Sequence, residues 1–424
     1  MPTPDLGSRQ RTTTARAVAP RIRGVASCTI NYSTGNVSII FAAPIASGTL
    51  LYQGTFGGTS TDQTLTTLTA FGLATGVNPT FGPQEVVGTT FGGRTRTIGL
   101  SGDSIMTGNV NTQQNVSWAD LSNGGLYGEV KISSPGETLA KWATPAGRIG
   151  RTALVGPGGA DRILSNYGTN DITGGASLST MINGFLASIP ALAAMTPNSD
   201  PDNIWWVTLL PHVVSAVSNV PYAPSTGPYQ AAGAALGPGA VANPTPLGAG
   251  VLTCTITGTG SAGPYSCPFG QATMIGALWS DGAYTTVIDT GSGGASATTL
   301  SGSLVSTGSN TPATGAVSLT FASALAGGQT VNLYTFASGP SERNAWNYFL
   351  YNWAVPKGKI GGVIDTASCV EASPASATGA GSGTWSSLSL TADGTHPNAA
   401  GHQTAIPGCI GPSGTTPSLF WNIY

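Results

Sequence analysis

The chain has 424 residues, of which 61 are Gly and only 8% are Asp, Glu, Lys or Arg, against about 25% in an ordinary globular protein. That length implies two or three domains; a formal net charge of -2 gives no reason to expect a nucleic-acid partner, and no run of about 18 apolar residues is present to span a membrane. A surface made polar by hydroxyls and amides fits extracellular or virion-type β-rich proteins better than cytosolic enzymes.

Residues 1–24 carry Arg9, Arg11, Arg16, Arg21 and Arg23 against Asp5 alone, with no apolar core of the secretory-signal kind. They read as a flexible solvated arm, or as a docking arm that orders on a partner in an assembly or homo-oligomer. Residues 25–93 read as a β-rich module. Val25 to Tyr52 alternates apolar and small polar residues around the turn Ser33-Thr-Gly35, the pattern of a hairpin. The stretch Thr34 to Gly48 is echoed at Thr314 to Gly328, so one hairpin type is expected twice.

From Arg94 strands alternate with helical stretches, which predicts an α/β sheet. Ile98 and Leu100 end a short buried strand, Gly102 permits a sharp turn, and Ser104 stands where a helix begins. A serine there is held out of the sheet beside unpaired helix N–H groups. The loop Ser134-Pro-Gly-Glu-Thr138 follows, then the strand Arg162-Ile-Leu and, at its end, Tyr167-Gly-Thr-Asn-Asp171. Ser179 to Ala194 places Met181, Ile182, Phe185, Leu186 and Ile189 on or near one helical face. Ile204-Trp-Trp-Val-Thr-Leu-Leu210 reads as a strand buried on both faces.

Residues 222–338 interrupt this pattern with Gly, Ser, Thr, Ala and Pro and short alternating runs such as Val251 to Ile256 and Thr330 to Tyr334. They are expected to form a β-sandwich-like domain inserted into a loop of the α/β domain, whose two parts are 94–221 and 339–424. The α/β pattern resumes with the helix Glu342 to Trp353, whose Trp346, Phe349, Leu350 and Trp353 share a face, and the strand Gly361 to Asp365. Near the end comes Asp393-Gly-Thr-His-Pro-Asn398. Among five cysteines, Cys254 and Cys267 are placed for a local disulfide, Cys369 and Cys409 bracket the Asp393 to His396 block, and Cys28 is left over. Three histidines and no C-x-x-C argue against a zinc site.

A serine hydroxyl needs a base to take its proton, usually a histidine held by a carboxylate. His396 fits best, since Asp393 lies three residues before it; His212 follows a buried strand and His402 sits on the final helix. Asp103 and Asp171 read as structural, bonding local backbone N–H groups. The four blocks in this order, carrying Ser104, Gly136, Asn170 and Asp393 with His396, resemble the SGNH (GDSL-type) hydrolases over 94–220 and from about Pro340 onward. That resemblance implies a three-layer α/β/α flavodoxin-like domain. It implies a nucleophile at Ser104, a base at His396, an orienting acid at Asp393, an oxyanion hole from Ser104, Gly136 and Asn170, and no metal or organic cofactor. Where the family often has an Asn and a first Gly before the position of Gly136, this chain has Ser133, Ser134 and Pro135.

The expected activity is a serine esterase acting through an acyl-enzyme. The family includes lipases, thioesterases, arylesterases and carbohydrate O-acetyl esterases; the β-modules, the charge-poor surface and the lack of a long apolar lid favour acetyl groups on a polysaccharide. A lipase or short-chain carboxylesterase is the nearest alternative, and a tail or receptor-binding subunit of a virion the alternative from another class. Trp279 and Tyr284, with Tyr222 and Tyr229 near the entry of the inserted segment, are candidates for stacking on sugar rings, or else belong to its core and hairpin pairs. An extracellular or virion location is expected.

Overall fold

The structure is a computed structural model. It describes residues 25–31 and 36–41, and then residues 96–421 apart from 113–115, 124–126, 146–147, 149–150, 153–154, 222–250, 275, 281–287, 290–297, 302–304, 338–340, 375–380 and 416–417. The Arg-rich arm, Tyr222, Tyr229 and Tyr284 lie outside the described residues. The chain divides into two compact units, Met1–Arg94 and Thr95–Tyr424.

In the first unit, β1 (Val25–Asn31) and β2 (Asn36–Phe41) form the expected antiparallel hairpin. Its register runs from Asn31 opposite Asn36 to Val25 opposite Phe41, with an irregularity between Val25 and Ser27.

The second unit is built on a parallel sheet of β3 (Thr97–Ser101), β4 (Gly128–Lys131), β5 (Arg162–Ser165), β6 (Ile204–Val207) and, far along the chain, β17 (Gly362–Ile364). The strands lie in the order β4-β3-β5-β6-β17, which in chain order is 2-1-3-4-5, the flavodoxin-like arrangement. Period-two alternation loads both faces. Ile163, Ile204 and Trp206 join one hydrophobic cluster, and Ile98, Leu100, Leu164, Val207 and Ile364 join another. Against the first cluster pack α3 (Leu139–Ala143), α5 (Leu178–Ala193) and α6 (Glu342–Phe349). Against the second pack α1 (Ser104–Thr107), α2 (Trp118–Asn123) and α7 (Ile406–Ile410). A further short helix, α4 (Thr169–Thr173), starts just past the end of β5. This is the three-layer plan.

α5 and α6 begin where their caps put them: Ser177 accepts from the Thr180 N–H, and Ser341 from the Asn344 N–H. Past Phe349 the backbone widens into a π turn, Leu350–Ala354, where the sequence reads as continuous helix. The wider turn keeps Trp353 stacked on Phe349, with ring centroids 5.1 Å apart.

The β-rich segment forms two antiparallel sheets. One contains β10 (Tyr265–Ser266), β12 (Ile288–Asp289), β13 (Thr298–Ser301), β14 (Val305–Thr311) and β15 (Ala316–Phe321); the other contains β9 (Val251–Thr257), β11 (Trp279–Ser280) and β16 (Thr330–Phe336). Ile256, Val331 and Leu333 of one sheet meet Val317, Leu319 and Phe321 of the other in a common cluster. The segment is not walled off from the α/β portion. Trp279, Tyr334 and Phe336 belong to the same cluster as α5 and α6, and the Trp279 ring lies 5.6 Å from Phe349 and 6.0 Å from Trp353. A short hairpin of β7 (Val213–Ser215) and β8 (Ser218–Pro221) precedes it.

The echo in the sequence is a repeated backbone feature. β14 and β15 pair from Thr311 opposite Ala316 to Val305 opposite Phe321, with an irregularity between Val305 and Thr307. Each position is displaced by 280 residues from its counterpart in β1 and β2, irregularity included. Both cysteine pairings form, Cys254–Cys267 and Cys369–Cys409.

Phe185 makes edge contacts with Trp206, Trp346 and Phe349 at 4.8, 6.0 and 5.4 Å, so it joins β6, α5 and α6. Phe185→Ala is expected to lower the stability of the unit by about 3–5 kcal/mol, read as a shift of the urea midpoint. A shift under ~1 kcal/mol would mean that this aromatic cluster does not hold the layers together.

Candidate active site

Ser104 sits at the first position of α1, directly past the C-terminal end of β3. Asp103 caps that helix: its Oδ1 accepts from the Ile105 N–H at 2.9 Å and from the Asn166 amide at 3.0 Å, while Asn166 Oδ1 accepts from the Asp103 N–H at 3.1 Å. Asn166 follows β5, so this reciprocal pair joins the ends of the two strands where the sheet order reverses, the place where open α/β sheets build their sites. Gly102 makes it possible. A Cβ there would stand 1.7 Å from Asn166 Oδ1. Burial pushes the Asp103 carboxyl up to about 6, against the pull of the Ile105 and Asn166 bonds, and its Oδ2 has no hydrogen-bond partner among the described residues.

Ser104 is 7% exposed; its hydroxyl lies 2.7 Å from His396 Nε2, and His396 Nδ1 lies 2.6 Å from Asp393 Oδ2. The structure therefore brings together three residues from opposite ends of the α/β portion. Asp393 and His396 share one tight turn, in which Asp393 Oδ1 accepts from the N–H groups of Thr395 and His396 at 2.8 and 2.7 Å. Gly394 occupies a left-handed conformation (φ 94°), and its carbonyl accepts from the Val213 N–H at 3.0 Å and the Trp385 indole at 2.9 Å. Partial burial draws the Asp393 carboxyl upward, but the bonds from His396 and Thr395 outweigh it and hold the group well below the usual carboxylate range. The Cys369–Cys409 disulfide ties the chain before this turn to α7 after it.

The loop of Gly136 lies against the turn from β3 into α1. Ser134 N–H donates to the Gly102 carbonyl at 2.8 Å, and the Thr107 hydroxyl to Ser133 at 3.2 Å. Gly136 itself is exposed at a φ of 72°. Next to it, Glu137 is fully buried and holds an ion pair with Arg151, and the Tyr167 hydroxyl donates to it at 2.8 Å. The Asn170 amide donates to the Glu137 carbonyl at 3.0 Å, which leaves it a second N–H. Asp171 accepts from the Leu139 N–H with both oxygens, at 3.1 and 2.9 Å. It thus bonds the start of α3 as well as its own backbone N–H. Burial is the main reason its carboxyl is pushed up to about 6.

Two of the candidates are placed elsewhere. Trp279 is fully buried, stacked on Tyr334 at 5.8 Å and beside Phe336 at 5.1 Å, so of its two readings the sugar platform is corrected and core packing holds. An indole with both faces covered has none to offer a ring. His402 is also buried, with Nδ1 accepting from the Trp118 N–H at 3.1 Å.

Sequence reasoning missed Asn166, the Glu137–Arg151 pair, and a cleft beside the His396 turn whose lining includes Thr169, Ile172, Leu209, His212, Glu342 and Arg343. Arg343 Nε donates to the carbonyls of Leu209 and Leu210 at 2.9 Å, and its Nη1 to Glu371 at 2.8 Å. The local signal was slight: an Asn one residue past a strand, and a charged pair opening a helix. Burial pushes His212 down to about 4 and Glu342 up to about 8, so both are neutral at pH 7. Between the ordinary value of 4.5 and about 8 the native state holds a proton on Glu342 that the unfolded chain releases. Stability therefore falls as pH rises through that window, by up to roughly 1.4 kcal/mol per unit. Glu342→Gln, which cannot ionise, should match wild type in melting temperature at pH 5 and exceed it at pH 8.5; parallel pH profiles would contradict the buried neutral carboxyl.

No family model and no curated protein matches this chain. Three of the solved structures to which the chain is similar are as follows. The first is from Desulfitobacterium hafniense DCB-2, described as lipolytic and of the G-D-S-L family (17% identity, TM-score 0.23, covering 27% of this chain and 61% of that one). The second is a GDSL-like protein from Parabacteroides merdae ATCC 43184 (16%, 0.22, 30% and 65%). The third is the psychrotrophic esterase EstA from Pseudoalteromonas sp. (18%, 0.21, 27% and 60%). The chain thus spans somewhat under two thirds of each. With its 2-1-3-4-5 parallel sheet, and with the four sequence blocks at the ends of its strands and in the turn that faces them, the Thr95–Tyr424 unit has a fold of the SGNH/GDSL hydrolase type.

Proposed function

We propose that this chain is a serine ester hydrolase that removes O-acetyl groups from a polysaccharide. The observation that carries the reading is the unbroken run from Ser104 Oγ through the His396 ring to Asp393, at 2.7 and 2.6 Å. His396 Nε2 takes the hydroxyl proton as Ser104 attacks the ester carbonyl, and Asp393, ionised across the working pH range, holds the ring and stabilises its charged form. The negative charge that develops on the carbonyl oxygen is met by the N–H groups of Ser104 and Gly136 and by the free N–H of Asn170. His396 then passes its proton to the departing alcohol, leaving an acyl group on Ser104. Water, deprotonated by the same ring, releases the acid.

The glycan part of the reading is supported by the charge-poor, β-rich make-up of the chain. The two disulfides fit an oxidising compartment, in line with an extracellular or virion setting.

The wild-type protein is expected to hydrolyse p-nitrophenyl acetate and to release acetate from an O-acetylated glycan. Ser104→Ala should abolish both. Asp393→Asn should lower kcat by about 10³–10⁴-fold, through loss of the correct ring tautomer. Asn170→Ala should lower kcat by about 10²–10³-fold with little change in KM. Hydrolysis that persists in Ser104→Ala would remove the assignment.

A further inference from the structure

We propose that Glu137 is a positioning residue for the oxyanion hole: its main-chain carbonyl aims the Asn170 amide, and its buried carboxylate keeps that carbonyl in place. The proposal rests on the ester-hydrolase reading and adds to it a residue that acts on the developing charge without touching the substrate.

The torsion that swings an Asn amide is broad and shallow, so a donor of this kind is preset only if something else holds it. Asn170 has such a hold. One of its two N–H groups is committed to the Glu137 carbonyl at 3.0 Å, which fixes the plane of the amide and therefore the direction of the other N–H. The same bond joins α4, which carries Asn170, to the residue directly after Gly136. Two donors of the hole thus depend on one short piece of backbone.

That backbone is held at both ends and in the middle. The Glu137 N–H donates to the Ser134 carbonyl at 3.3 Å, and two residues on, the Leu139 N–H meets the carboxylate of Asp171, the neighbour of Asn170. Between them the Glu137 side chain is fully buried. Both of its oxygens accept from the Arg151 guanidinium, and Oε2 also accepts from the Tyr167 hydroxyl at 2.8 Å. Arg151 is fixed in turn by the Ile132 carbonyl at 3.2 Å and lies over the Trp142 ring at 4.9 Å. Tyr167 stacks on that same ring and accepts from the Ser101 hydroxyl at 3.4 Å. A carboxylate paired in this way adds little net stability but strongly disfavours any other placement, and it sits on the one residue whose carbonyl meets the Asn170 amide. The oxyanion exists only once Ser104 has attacked, so the aim of that amide bears on kcat and leaves the binding of the uncharged ester alone.

The test is steady-state kinetics on p-nitrophenyl acetate for wild type, Tyr167→Phe, Glu137→Gln, Asn170→Ala and the double variant of Glu137→Gln with Asn170→Ala. Each kcat is expressed per active site, counted by reaction to completion with diethyl p-nitrophenyl phosphate. Glu137→Gln should lower kcat by about tenfold, part of the 10²–10³-fold that loss of a whole donor costs, with KM within about twofold of wild type. Tyr167→Phe keeps the ion pair and the ring and should lower kcat by about threefold, so the result does not depend on the Glu137→Gln protein folding. In the Asn170→Ala background, Glu137→Gln should cost less than about twofold more, because the group it aims is gone. A kcat per site within about twofold of wild type for Glu137→Gln and unchanged for Tyr167→Phe would overturn the proposal. So would a full tenfold loss that persists beside Asn170→Ala, or a loss carried by KM. Fewer titrated sites at an unchanged kcat per site would mark a residue that only holds the fold, and would overturn it too. All these outcomes leave the hydrolase reading standing; a wild type no more active than Ser104→Ala removes that reading, and the role of Glu137 with it.

Discussion

The site depends on a contact that only a residue without a side chain permits. Where β3 ends, the backbone at Gly102 passes so close to Asn166 that any Cβ would overlap its amide oxygen. Through that gap Asn166 and Asp103 exchange hydrogen bonds in both directions, welding the ends of two neighbouring parallel strands. The orientation of Ser104 follows, because it is the next residue and the first of a helix that Asp103 caps. A serine on an unfastened loop would spend its time in several rotamers and orientations; here the backbone leading into it is fixed from two sides.

The supports radiate from that weld. The Gly136 loop is fastened to Gly102 by Ser134, to Asn170 by the Glu137 carbonyl, and to the interior by the buried Glu137–Arg151 pair. An ion pair with one member fully buried contributes little net stability but strongly penalises any arrangement that separates its members. It therefore suits a loop that has to keep one conformation. On the far side, the Asp393–His396 turn is held by β7 and Trp385 through the Gly394 carbonyl. Each arm of the site is thus held by bonds to neighbouring elements, and the Gly136 loop is held in part by the other arms.

Much of this was legible in the sequence, for identifiable reasons. Ser104, Asn170, Asp393 and His396 were found because each lies in a short block whose residue types and order are constrained together, and the sheet was found because its strands are short apolar runs separated by helical patterns. The misses share a different cause. For Trp279 the sequence left a sugar platform and core packing both open, because composition cannot reveal that α6 packs onto that strand from 70 residues away. The cleft around Glu342 was invisible because its walls come from α4, from the chain past β6, from the end of β8, from the start of α6 and from residue 383, which only the folded chain assembles. The separateness expected of the inserted segment was overstated for the same reason: its aromatic residues complete a core that also belongs to α5.

The repeated hairpin sets the chain a sorting problem. Two copies of one strand pair, alike down to the position of their irregularity and 280 residues apart, could in principle exchange halves, with β1 taking β15 and β14 taking β2. What separates the right pairing from the wrong is chiefly the length of chain to be closed. Joining neighbours through a tight turn is favoured over closing a loop of nearly 300 residues by about 3–4 kcal/mol of chain entropy. Between two molecules at high concentration that advantage shrinks. The same duplication then becomes a natural route to strand exchange from one chain to another.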